Sequence, residues 1–151
     1  MTDGDAEVPR GRFSARPRIE PEGSGSDLSE RSERSRERLS DEVARLRSRF
    51  ARATRDGRES FADTDSDAYD IGMLAVIHLA DLVNLQLPDE IADTLPRLAR
   101  DGLRATRNIT ARNAAHGDNA RLWETVSSHA PALLDAIDAA LQAASASSVP
   151  G

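Results

Sequence analysis

Between Ala68 and Leu85 apolar residues cover most of a helical circumference, from Ile71 and Leu74 through Val76, Leu79, Leu82 and Val83. A helix that is apolar nearly all round has to be surrounded by other helices or by lipid. His78, Asp81 and Asn84 interrupt this run, which is also short for a membrane span. The segment therefore reads as the central buried helix of a bundle, capped by Ser66 or Asp67. The three polar residues are spaced three apart and form one stripe. They either satisfy one another and face water, or line a cleft against the helix that carries Arg107.

The flanking patterns are helical too. Ser40 is a plausible N-cap, with Asp41 and Glu42 in the first turn. Val43, Leu46 and Phe50 then recur on one face up to about Arg55. Asp56-Gly57 ends that helix with glycine in the role just past the C-terminus, and a turn or short helix surrounds Phe61. Pro88 opens a short helix that Leu95-Pro96 interrupts. Another runs from about Leu98, with Leu103 and Ile109 as apolar marks, to a stop at Gly117. Asp118 or Asn119 caps the last helix, which holds Leu122, Trp123 and Val126. Pro131 kinks or restarts it before Leu133, Leu134, Ile137 and Leu141. No strand alternation and no hairpin dipeptide appear. The expected fold is all-α, a bundle of four to five helices over residues 40–142.

The ends differ in kind. Residues 1–26 are rich in Pro, Gly, Ser and charge and bury too little apolar surface to offset ordering entropy, so they read as a disordered tail. Residues 27–39 repeat Ser, Glu and Arg and are polar all round, which suggests a frayed leading helix supported only by ion pairs. Residues 143–151 read as a flexible small-residue tail.

Composition narrows the chemistry. The 151 residues suit one domain. There is no cysteine, which excludes disulfides and thiolate metal sites and points to a reducing cytoplasm. All basic residues are arginine, and the formal net charge is -6, which argues against broad nucleic-acid binding while leaving room for a local basic cleft. Aromatics make up only 3%, so base-stacking platforms should be few. No phosphate loop, nucleophile elbow or metal-spaced histidine pair is present, and no cofactor, metal site or membrane segment is expected.

One stretch concentrates reactive side chains. Arg107, Asn108, Arg112, Asn113 and His116 fall within about three helical turns. Arginine can neutralise a phosphate, and imidazole can move a proton near neutrality. The plain alternative for His116 is a helix-end residue that complements the dipole.

The order of motifs around this stretch resembles the HepT-like branch of the HEPN superfamily. The resemblance spans roughly 40–141 and rests on Gly57-Arg58-Glu59-Ser60-Phe61, the apolar helix, Leu87-Pro88-Asp89-Glu90, Arg107-Asn108 and Leu122-Trp123-Glu124-Thr125-Val126. It implies a homodimeric, metal-independent endoribonuclease toxin of the bacterial cytoplasm, paired with a minimal nucleotidyltransferase antitoxin. The family's Arg-Asn-x-x-x-His-x-Tyr motif then places Arg107 as the catalytic arginine. Without gaps, Arg112 stands at the histidine position and Ala114 at the tyrosine position, which in the family receives AMP. The family's glutamate on the apolar helix falls at Leu82, beside Asp81. A shifted alignment sets Arg112 and His116 as the pair, one residue too close. The site expected from the resemblance is thus Arg107, Arg112 and His116, with Arg107 and Arg112 on RNA phosphate and His78, Asp81 and Asn108 lining the cleft. The altered motif equally fits a dimeric HEPN module that binds RNA or a nucleotidyltransferase without cutting.

Overall fold

The computed structural model describes residues 24–63, 65–111 and 119–148. Helix α1 (Ser24–Thr54) and α2 (Gly57–Ala62) precede the central helix α3 (Asp67–Asp81). They are followed by α4 (Asp89–Ala92), α5 (Arg97–Ala111), α6 (Asn119–Glu124) and α7 (Ala130–Ser147). Among the described residues there is no strand, and the protein is all-α, with α1, α3, α5 and α7 as the long members. Helix α1 packs against α3 and α7, and α3 packs against α5.

The core follows the apolar spacing. Val43, Leu46 and Phe50 on α1, Val76 and Leu79 of the central helix, Leu82 just past its end, and Leu134 and Ile137 of α7 form one buried cluster. The run Asp67–Gln86 is long and apolar enough to cross a membrane by composition. Here it packs against α1 on one flank and α5 on another as a member of the bundle. Ser66 caps α3 by accepting a hydrogen bond from the Tyr69 N–H at 3.2 Å. Gly57, at φ 87°, takes the left-handed turn that separates α1 from α2, a conformation that costs a side-chain-bearing residue roughly 1–2 kcal/mol.

Four features differ from the sequence expectation. First, Ser40 is not an N-cap, because the polar segment 27–39 belongs to the same helix, α1, of 31 residues. Its C-terminal half is anchored in the core, so the nucleus already exists and propagation toward the N-terminus needs only one hydrogen bond per residue. An ion pair such as Arg34–Glu30 at 3.2 Å supports this otherwise exposed half. The remainder of the expected N-terminal tail lies outside the described residues.

Second, the C-terminal tail is shorter than expected, since α7 continues to Ser147. The Ser145, Ser147 and Ser148 hydroxyls each donate to a carbonyl four residues earlier. Arg36 of α1 donates to Ser148 Oγ at 3.0 Å, and Arg47 pairs with Asp135, so α1 and α7 run antiparallel.

Third, both long apolar helices contain a π-turn directly ahead of a proline. Residues Leu82–Gln86 form one, closed by the Leu87 N–H donating to the Leu82 carbonyl at 3.0 Å, with Pro88 next. Residues Thr125–His129 form the other, closed by the Ala130 N–H on the Thr125 carbonyl, with Pro131 next. Proline supplies no N–H and crowds the preceding turn. Widening that turn by one residue relieves the crowding, and Pro131 falls in the first turn of α7, where its missing N–H costs least.

Fourth, Leu98 is not a core mark. It is 87% exposed, whereas Leu103 is buried. The expected stop at Gly117 and the Asp118 cap lie outside the described residues. Asn119 is the first residue of α6, and its side-chain amide donates to the Ala62 carbonyl at 3.3 Å.

Candidate functional site

Helix α5 is sharply two-sided. Arg97, Arg100, Arg104 and Arg107 fall at i, i+3, i+7 and i+10, which places them along one face over roughly 15 Å. Leu103, along the edge of this row, and Thr106, on the far side of the helix, are buried against the bundle. The Thr106 hydroxyl is satisfied by donating to the Gly102 carbonyl at 2.8 Å. Arg97 and Arg104 are exposed, while Arg100 and Arg107 are half-buried. A row of four guanidinium groups raises the local potential although the chain as a whole carries a formal charge of -6.

The central helix meets this row. Arg107 Nη2 lies 3.2 Å from Asp81 Oδ1, with the two side chains 43% and 35% exposed. At that exposure the pair contributes about 0–1 kcal/mol to stability, so its main effect is to orient the guanidinium. His78, one turn earlier on α3, is reached from the other side, because Arg49 of α1 donates to its Nδ1 at 2.6 Å. A guanidinium only donates, so in this contact the ring proton sits on Nε2. The polar stripe of α3 is therefore bridged from both flanks, His78 by α1 and Asp81 by α5. Asn84, the third member, is exposed.

The geometry brings together some of the expected site residues. Asp81 and Arg107 are in contact, and Asn108 is exposed on the next position of α5. His78 pairs with Arg49 instead. Leu82, at the position of the family's glutamate, is fully buried in the core. The acidic group that meets Arg107 is its neighbour Asp81. Arg112, Ala114 and His116 lie outside the described residues. Arg97, Arg100 and Arg104 did not figure in the sequence reading, although their helical spacing carries the signal. Arg49 left none, because its partner is 29 positions away.

Two further concavities border this region. An apolar groove of about 570 Å³ runs between α5 and α7, with Leu98, Gly102, Leu133 and Ala136 in its walls and Arg121 and His129 at its polar end. A smaller, polar cavity of about 510 Å³ lies between α2 and α6, lined by Arg58, Arg121, Trp123, Glu124, Ser127 and Ser128. The loop between α2 and α3 carries Asp63, which accepts the Asp65 N–H at 3.0 Å in a local turn. Compared with known proteins, the chain matches no family model, no curated sequence and no solved structure.

Proposed function

We propose that this chain is a HEPN-type helical protein that engages RNA through its phosphates, with Arg107 at the centre of the site, and cleaves it without metal. The observation that carries the reading is the α5 arginine row, with Arg107 held in place by Asp81 at 3.2 Å. Arginine forks match phosphate oxygens and act in any sequence context.

In this reading the ribose 2′-oxygen attacks the adjacent phosphorus and the 5′-oxygen leaves. Arg107 stabilises the charge that builds on the phosphoryl oxygens. Arg112 adds a second phosphate contact, since its guanidinium stays protonated and cannot act as a base. The proton from the 2′-hydroxyl passes to the His116 imidazole, and the imidazolium returns a proton to the leaving 5′-oxygen. A second copy of the chain is the partner this reading calls for, with a minimal nucleotidyltransferase as the partner that would silence it.

The test is expression in a bacterial host with growth and RNA integrity followed for wild type, Arg107→Ala and His116→Ala. Wild type should arrest growth and degrade RNA, and both variants should lose this. Intact RNA and unimpaired growth with wild type would overturn the cleaving reading.

A second reading, an RNA- or nucleotidyltransferase-binding module that does not cut, is favoured by the residues themselves. Arg112 stands where the family's histidine would be and Ala114 where its tyrosine would be. It predicts RNA binding that needs Arg107 and is indifferent to His116→Ala.

A further inference from the structure

The polar cavity between α2 and α6 contains the chain's sole tryptophan. Trp123 is half-buried, with one side toward Phe61 at a centroid distance of 5.4 Å and a tilt of 55°. Phe61 is itself fully buried and also contacts Tyr69 at 5.7 Å, so the indole rests on a fixed aromatic base. Arg58 from α2 and Arg121 from α6 line the same cavity as Trp123. Both arginines are exposed, and neither forms an ion pair with another described residue. Two unneutralised guanidinium groups from different helices, sharing a cavity with an aromatic surface, combine an anion site with a stacking site.

We infer that this cavity binds a purine nucleoside 5′-monophosphate. The base stacks on Trp123, and the phosphate sits between Arg58 and Arg121. Glu124 also lines the cavity and works against a bare anion. A carboxylate is, however, a suitable acceptor for ribose hydroxyls, and Ser128 offers a further hydroxyl. The Ser127 hydroxyl is already committed, since it donates to the Trp123 carbonyl at 2.7 Å. The volume of about 510 Å³ falls in the range of roughly 300–1,000 Å³ found for small-molecule sites. The assignment does not rest on the RNA-cleaving reading, because it uses neither the α5 row nor Arg112 and His116.

Because Trp123 is the sole tryptophan, its fluorescence reports the site directly. The full chain is titrated with GMP, guanosine and inorganic phosphate. The expected result is saturable quenching by GMP, at an affinity about tenfold or more above either fragment. Arg58→Gln and Arg121→Gln should each weaken GMP about tenfold and leave the quenching by guanosine unchanged. Arg107→Gln should leave GMP binding unchanged. Calorimetric titration of Trp123→Phe gives a second reading that does not depend on the fluorophore, with weaker but measurable GMP binding expected. GMP binding no tighter than phosphate overturns the proposal, and so does GMP binding that survives both arginine substitutions yet is lost in Arg107→Gln. Absence of RNA cleavage by the wild type leaves this result standing, so the two readings fail separately.

Discussion

A methyl group added at Gly72 would lie 2.6 Å from Cε2 of Phe61. The ring cannot swing away cheaply, since Tyr69 and Trp123 flank it. Alanine gains up to about 1 kcal/mol over glycine in a helix, but overpacking of this kind costs about 1–3 kcal/mol. Gly72→Ala should therefore lower stability in urea unfolding. At Gly102 an added Cβ meets nothing within 4 Å, so the propensity term stands alone and Gly102→Ala should raise stability by about 0.5–1 kcal/mol. The sequence shows both positions simply as glycine inside a helical pattern. Only the packing of Phe61 distinguishes them.

The same scale decides the Arg107 site. Replacing Asp81 by Asn removes a negative charge from beside Arg107, and at the observed exposure it should change stability by less than about 1 kcal/mol. On the proposed function, RNA affinity at low salt should rise in this variant. It should fall in Arg107→Gln, where the slope of log affinity against log salt should drop by about one phosphate contact. Filter binding over a salt series reads both. An Asp81→Asn variant that binds RNA more weakly would show that the carboxylate is needed to aim the guanidinium. The sequence made Arg107 and Asp81 legible as candidates. It could not show that His78, on the same stripe, turns to Arg49, because that contact joins helices whose relative rotation is set only by the packed core.

At the scale of elements, existence was easier to read than extent. Every long helix follows from its apolar period, and Ser66 and Gly57 mark boundaries by their own chemistry. The misplaced start of α1 shows why extent is harder. Residues 25–38 have no apolar face, and their helicity depends on continuation from a segment that the core already holds. Amide hydrogen exchange should separate the two halves: rapid exchange over 25–35 and the slowest exchange of the helix over 43–53, where Val43, Leu46 and Phe50 are buried. Equal protection along α1 would mean that its polar half is covered in solution. The π-turns were illegible for a different reason. A proline in a helical pattern signals a disturbance, yet the sequence does not say whether the chain responds by bending or by widening a turn.

For the molecule as a whole, the apolar groove between α5 and α7 is the surface that a second copy would cover on the proposed reading. Leu98 at its edge is 87% exposed. It is flanked by Arg97 and Asp101, opposite charges about one turn apart, which would find each other's complement in an antiparallel pairing of two α5 helices. Sedimentation should show a dimer for the wild type and a monomer for Leu98→Glu. A monomeric wild type at high concentration would remove the second copy from the proposed reading.

Helix α1 has one more consequence. At 31 residues it is about 46 Å long, whereas a sphere packed from about a hundred residues is roughly 34 Å across. One helix is thus longer than the body it helps to build, and the diffusion tensor inherits that elongation. Rotation about the α1 axis should be faster than end-over-end tumbling, so backbone relaxation rates would depend on each N–H vector's angle to that axis. Vectors in α3 and α7, which pack along α1, would report the slow component, and a single isotropic correlation time would mistake this directional spread for internal motion.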